Sequence, residues 1–289
     1  MDFPIKELPA TEFPKRLLEI PQPPETLNYR GQLPDKELKL LSVVGSRKYT
    51  SYGKQVVDSL LSGLREYPVG IVSGLALGID SLAHESALQN NLYTLAIPGG
   101  GLDDSVIYPA THKRLAGRIL ESGGGLLSEF EPTFKATNWS FPKRNRLVAG
   151  ISHATLLIEA AEKSGTLITA RMATDYNREL LVVPGSIYSK NSAGVHQFMK
   201  LGATPVTTAK DILDVLHIEE ELEPLKEALS LPATNSPEAK VLSLLNEPLQ
   251  RDDLIRALNM STTEASQLLM MMELNGQIVS YQNTYRSAK

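Results

Sequence analysis

Cysteine is absent from the chain, which excludes disulfides, thiolate metal sites and cysteine nucleophiles and fits a reducing compartment. No run of about 18 apolar residues occurs, so no membrane-spanning helix is expected. The amino terminus, MDFPIKELPA, places acidic and proline residues where a secretion signal has a basic start and an apolar stretch. A cytoplasmic location is the expectation. The five histidines (His84, His112, His153, His196 and His217) never fall at a close ligand spacing, so no structural metal is expected, and no cofactor is expected either. An excess of positive charge is missing too: 29 Lys and Arg against 33 Asp and Glu give a net charge of −4. Any nucleic-acid site must therefore be a local basic patch rather than a whole-surface field.

What is present is a strand–helix alternation. From Lys39 onward LLSVVGS, VGIVSG, LYTLAIP, GGLLSEF, ATLLIEA and LLVVPGS read as strands. Between them YGKQVVDSLLSGLRE, GIDSLAHESALQN, HKRLAGRILES and SGTLITARMATDYNR carry apolar residues at helical spacing. This order predicts an α/β fold: a Rossmann-like, doubly wound, mostly parallel sheet over residues 39–218, its ligand edge at the strand carboxyl ends. Residues 1–38, rich in proline, read as an arm lying over that domain. A run of Glu between Glu219 and Glu227, followed by PATNSP, marks an acidic linker at 219–236.

Residues 237–289 read as three helices and a strand pair, a small winged-helix domain. Ser261 and Glu264 form a capping box for the third helix, and Gly276 is expected to end it. Six acidic residues (Glu238, Glu247, Asp252, Asp253, Glu264, Glu273) face five basic ones (Lys240, Arg251, Arg256, Arg286, Lys289). That balance favours a protein-contact or accessory role over duplex reading.

The candidate chemistry lies at the strand ends. Gly45-Ser46-Arg47 sets a tight turn, a hydroxyl and a guanidinium after the first long strand, where Arg47 can chelate a phosphate. Ser73-Gly74 repeats the arrangement after the second, in SGLALGID, whose spacing departs from a dinucleotide fingerprint and gives only weak support for a nicotinamide or flavin. His84, four residues after Asp80, is within helical reach of it, more simply as a structural contact than as part of a catalytic set. The glycines of PGGGLD either cover a ligand or merely turn. Phe141-Pro142-Lys143-Arg144-Asn145-Arg146, preceded by the sole tryptophan, Trp139, groups cations with aromatic rings. That combination suits single strands, whose bases are exposed for stacking. Lys163-Ser164-Gly165-Thr166 opens a helix whose first amides can hold a phosphate.

Taken in order, GSR, SGLALGIDSLAH, PGGGLD with YP, FPKRNR, EA-x-x-KSGTLITAR and VVPG resemble the DprA/Smf family of bacterial DNA-processing proteins over about Ile20 to Leu216. The resemblance implies a single-stranded-DNA-binding Rossmann domain that dimerises and helps load RecA recombinase during natural transformation. It implies no catalytic residues. The implied strand-binding set is Gly45, Ser46, Arg47, Ser73, Gly74, Lys143, Arg144, Asn145, Lys163, Ser164, Gly165 and Thr166, with Phe141 facing a base. Many family members begin with a helical domain of SAM type, for which this chain has room only for the proline-rich arm. A nucleotide-processing enzyme of the phosphoribohydrolase type is the alternative. There, however, P-G-G-x-G-T is continuous, whereas here Pro98–Gly101 and Gly165-Thr166 belong to different segments.

Overall fold

A computed structural model describes residues 3–218, 237–245, 249–258, 260–275, 277–281 and 284–287. The chain divides into two compact units, Met1–Glu220 and Glu221–Lys289. The segment expected as an acidic linker, 219–236, lies outside the described residues, as does Gly276.

The first unit is built on a nine-stranded sheet. Its parallel strands are β3 (Lys39–Val44), β4 (Val69–Ser73), β5 (Tyr93–Ala96), β6 (Gly125–Ser128), β7 (Ala154–Leu157), β8 (Glu179–Val182) and β9 (Thr204–Pro205), with β1 (Lys6–Glu7) and β2 (Asn28–Gly31) added antiparallel at one edge. The order is β1-β2-β6-β5-β4-β3-β7-β8-β9. The six strands expected from apolar runs are all present, in the doubly wound arrangement. The chain starts its parallel part at β3, travels out to β6, then returns to β7 on the other side of β3. This reversal is the topological switch where α/β sheets place their ligands.

Alternation along the strands explains why both faces are covered. In β3, Leu40 and Val44 enter one core, and Leu41 and Val43 the other. The first core receives α1 (Lys15–Leu18), α5 (Ser140–Ile151), α6 (Thr166–Asp175) and α7 (Ala193–Lys200) through Leu17, Leu147, Val148, Ile151, Ala170, Val195 and Phe198. The second receives α2 (Ser51–Ser62), α3 (Ile79–Gln89) and α8 (Ala209–Val215) through Val57, Leu60, Leu61, Ala83, Ala87, Ile212 and Leu213. A third cluster packs α4 (Lys113–Glu121) over the β6 side. Each fully buried Leu or Val contributes about 1.5–3 kcal/mol of transfer free energy.

Residues 3–38 differ from the expected overlying arm. They join the sheet through β1 and β2 and place Leu8, Phe13, Leu17, Ile20 and Leu27 in the core. Proline spacing limits these elements to short pieces without keeping the segment off the body of the domain. Helix α5 is also new, since the basic hexapeptide lies inside it.

In the second unit, α9 (Pro237–Leu244), α10 (Arg251–Leu258) and α11 (Thr262–Leu274) precede β11 (Ile278–Tyr281) and β12 (Thr284–Ser287), with the two-residue β10 (Leu249–Gln250) pairing to β12. This is the winged helix. Val241, Leu254, Leu258, Leu269, Met272 and Ile278 form its core. Ser261 caps α11 and closes the capping box with Glu264. Among the described residues no helix is long and apolar enough to cross a membrane.

Candidate nucleic-acid interface

The carboxyl ends of β3, β4 and β7 converge on a cavity of about 690 Å³. Gly45, Ser46, Arg47 and Lys48 form one wall, Gly74 and Asp80 part of the floor, and Ser164, Gly165 and Thr166 the opposite side. Helix α5 supplies Phe141, Arg144 and Asn145. The site thus draws on loops that are far apart in sequence and meet only because the sheet reverses direction here.

Local chemistry locks these loops to one another. The Ser46 hydroxyl accepts from Lys48 N at 3.0 Å and donates to the Lys48 carbonyl at 2.9 Å, closing the turn on itself. Thr166 Oγ1 donates to the Gly45 carbonyl at 2.9 Å, and Ser164 Oγ meets Thr166 Oγ1 at 3.0 Å, so the loop after β7 is fastened to the turn after β3. Gly78 begins α3 at φ +90°, and a Cβ there would strike the backbone of Ser46 and Arg47. Ile79 N donates to the Ser46 carbonyl at 3.1 Å across that close approach. Only glycine permits both this conformation and this proximity.

Beneath the cavity lies a buried polar floor. The Arg144 guanidinium, on a residue 4% exposed, donates to the carbonyls of Gly74 and Ile97, and its Nε donates to Asn145 Oδ1 at 3.2 Å. Asp80 accepts from Gly74 N at 3.1 Å beside it, and a Cβ on Gly74 would collide with both charged groups. Burial pushes Arg144 down to about 10, against the pull of Asp80, so the guanidinium stays charged at neutral pH. Burial raises the Asp80 carboxyl, opposed by Arg144 and the amides of Ala76 and Gly74. His84 does not turn to Asp80. Its Nδ1 meets Thr94 Oγ1 at 2.7 Å, and burial first, then the charges of His112 and Arg144, lowers it to about 3.

The cavity wall carries an aromatic and cationic stack. The Arg47 guanidinium stands 5.3 Å from the Phe141 ring centre, and Tyr108, 53% exposed, packs at 5.8 Å on the same ring. Arg47 and Lys48 are exposed, giving the site its accessible positive charge. The glycine-rich loop after β5 packs against the chain at 132–136, with Gly101 N bonded to the Phe134 carbonyl at 2.9 Å, and Tyr108 beyond it lines the cavity.

Gly45, Ser46, Arg47, Gly74, Phe141, Arg144, Asn145, Ser164, Gly165 and Thr166 are brought together as sequence reading expects. Three of the expected residues are not. Ser73 is fully buried and its Oγ donates to the Val43 carbonyl at 2.7 Å. Lys143 turns to the opposite flank of α5, 3.4 Å from Glu129, and Lys163 is exposed outside the lining. Arg146 is buried on Gln22 and Glu129. The hexapeptide's three cations are thus a floor, a flank and an anchor. The physical reason is helical: residues on α5 point about 100° apart, so Arg144 faces the cavity while Lys143 and Arg146, three positions apart, meet at Glu129 on the other side.

Sequence reasoning missed Lys48, Tyr108, Asn138 and Asn191 in the lining. Lys48 could have been found from its place directly after Arg47; Asn191 comes from a distant loop and left no local signal. The amino terminus of α2, which follows the turn after β3, is filled. Thr50 caps it, and the buried Glu159 carboxylate accepts from Thr50 N at 2.9 Å and from Thr50 Oγ1 at 2.5 Å. Among the described residues no group of three or more His, Asp or Glu side chains converges as a metal site would require.

The model of the family described as DNA recombination-mediator protein A matches residues 7–217, and a DprA winged-helix model matches residues 226–282. Protein Smf of Escherichia coli is 41% identical over 204 residues, covering 71% of this chain, and the chain spans about half (54%) of that protein. DNA processing protein DprA of Streptococcus pneumoniae is 40% identical over 201 residues, 70% of each chain. The X-ray structure of the pneumococcal protein aligns with a TM-score of 0.68 at 36% identity over 74% of each chain. DNA processing protein A from Helicobacter pylori, studied for its single-stranded DNA binding mode, aligns with a TM-score of 0.67 at 30% identity, covering 74% of this chain and 96% of its own. With that coverage and identity, the chain belongs to the DprA/Smf family of DNA recombination-mediator proteins.

Proposed function

We propose that this protein binds single-stranded DNA at the cavity on the sheet edge, protects incoming strands and loads RecA recombinase onto them during natural transformation and recombination. In this reading it works in the cytoplasm as a homodimer through the α/β domain and carries out no turnover. The observation that carries the strand-binding step is the Arg47–Phe141 stack over a floor held by Arg144. A cation beside a stackable ring, at an opening lined by hydroxyls and amides, suits a phosphate followed by an unpaired base. The family membership and the strand binding of the Helicobacter pylori relative support it further. RecA loading and dimerisation rest on the family resemblance.

The two buried carboxylates near the cavity are engaged, Asp80 by Gly74 N and Arg144, Glu159 by Thr50. Neither stands as a ready general base, which favours binding over the phosphoribohydrolase alternative. Equilibrium binding of a labelled dT oligonucleotide, against duplex of equal length and across a salt series, tests the proposal. Salt-sensitive affinity that is higher for the single strand is expected; equal or higher affinity for duplex would overturn it.

A further inference from the structure

The hexapeptide face that turns away from the cavity is not idle surface. Trp139, the only tryptophan, takes a helical conformation as the cap of α5 and is 56% exposed. The indole is held edge-on by two other rings: Phe130 at 5.8 Å and 74°, Phe134 at 5.7 Å and 62°. Those two stack on each other at 4.7 Å. The Lys143 ammonium lies 5.4 Å from the Phe130 ring centre and 5.9 Å from that of Trp139, while Glu129 holds it from below at 3.4 Å. A large exposed ring is thus fixed by a small aromatic core and flanked by a half-exposed cation.

Helical geometry relates this ring to the cavity. At about 100° per residue, Phe141, Arg144, Asn145 and Val148 share one face of α5, and all four line the cavity. Trp139, Lys143 and Arg146 share the opposite face by the same count. Asn138 and Pro142 lie between the two faces and also line the cavity, so they form the rim. A strand leaving over that rim reaches Trp139 after crossing one helix, about 10 Å across. At the ~3.4 Å rise of a strand in duplex this is about three nucleotides, and fewer when the strand is extended.

We infer that Trp139 is a second base-stacking station, taking an unpaired base of the strand whose backbone occupies the cavity, with Lys143 placed for the adjoining phosphate. This inference rests on the single-strand reading of the cavity. Its chemistry is that of a rigid π-face beside a cation, which accepts any base and leaves sequence unread. Lys143 therefore acts on strand binding from the outer flank of α5, independently of Arg47.

The sole tryptophan makes the test direct. The full chain is titrated with dT oligonucleotides of about two nucleotides, too short to cross the helix from the cavity to Trp139, and of about sixteen. Tryptophan emission is followed in parallel with anisotropy of an end label. The longer oligonucleotide is expected to quench the emission, and a longer strand carrying abasic residues throughout to bind without quenching. Trp139→Ala is expected to weaken the longer oligonucleotide about ten-fold while leaving the shorter within about two-fold, and Trp139→Phe to restore part of the loss. Binding of the longer strand with unchanged emission, together with wild-type affinity in Trp139→Ala, would overturn the station and leave the cavity reading standing. Absence of binding by any oligonucleotide would remove both.

Discussion

The sheet edge and the winged helix are two surfaces on which nucleic-acid binding is commonly built, and they differ in what they expose. At the edge, Arg47 and Lys48 are exposed above a charged floor. On α11, the helix that a DNA-reading winged helix would present, there is no Lys or Arg at all; Glu264 and Glu273 are there, and Met270 and Met271 are 64% and 57% exposed. Among the unit's described cations, Lys240 donates to the Leu258 carbonyl at 2.9 Å, Arg251 to Ser266 Oγ at 2.9 Å, and the exposed Arg256 lies 3.5 Å from Asp253. A fold supplies a surface, but the side chains placed on it decide what adheres.

The largest effect is expected on removing the floor of the sheet-edge cavity. Arg144→Leu leaves the Gly74 and Ile97 carbonyls without their donor and Asp80 without its neighbouring cation. A loss of about 3–5 kcal/mol in urea unfolding of the α/β unit is expected. A loss under 1 kcal/mol would mean that the floor is not held by this guanidinium. Arg47→Ala, by contrast, touches an exposed group. It should leave the unfolding midpoint in place, weaken dT binding about 10- to 100-fold and lower the salt slope by about one.

Acidification acts on the α/β unit through the buried His84 and the half-buried His153. His84 is lowered to about 3 and His153 to about 4, both chiefly by burial. Their folded values lie below the unfolded value of about 6.5, so the unfolded chain takes up protons first as pH falls. The contribution of these two histidines to stability is therefore full above about pH 6.5 and declines towards pH 3–4. Denaturant midpoints across this range should fall with pH, and His84→Gln should flatten the decline. The smallest effect concerns α11: Gln267→Lys with Met271→Lys should add weak, salt-sensitive duplex affinity without altering dT binding. Strong duplex binding by the wild-type chain would erase the distinction between the two surfaces.

Much of this architecture is legible in the sequence because two-sided burial writes itself as apolar runs such as LLSVV and ATLLI. Helix α5 is harder to read: Pro142 and clustered charges obscure its period, and its partners Glu129 and Gln22 are distant in sequence. The small-residue turns at Gly45–Arg47 and Ser164–Thr166 identify the site because only the strand-end geometry makes use of them. Which cation faces the cavity is a question of helix rotation, and rotation is fixed by tertiary partners that Lys143, Arg144 and Arg146 do not announce locally. Residues 3–38 pair with β6 through backbone bonds, which leave little trace in side-chain type.

Glu159 has one further consequence. By filling the amino terminus of α2 with its carboxylate, the protein carries an internal counter-ion at the position where many relatives of this fold seat a nucleotide's pyrophosphate. A small phosphorylated metabolite arriving there meets a like charge already in residence. On the strand-binding proposal, the neighbouring opening, left to Arg47 and Lys48, suits a ligand that gains its hold by repetition, one weak grip per link of a long polyanion.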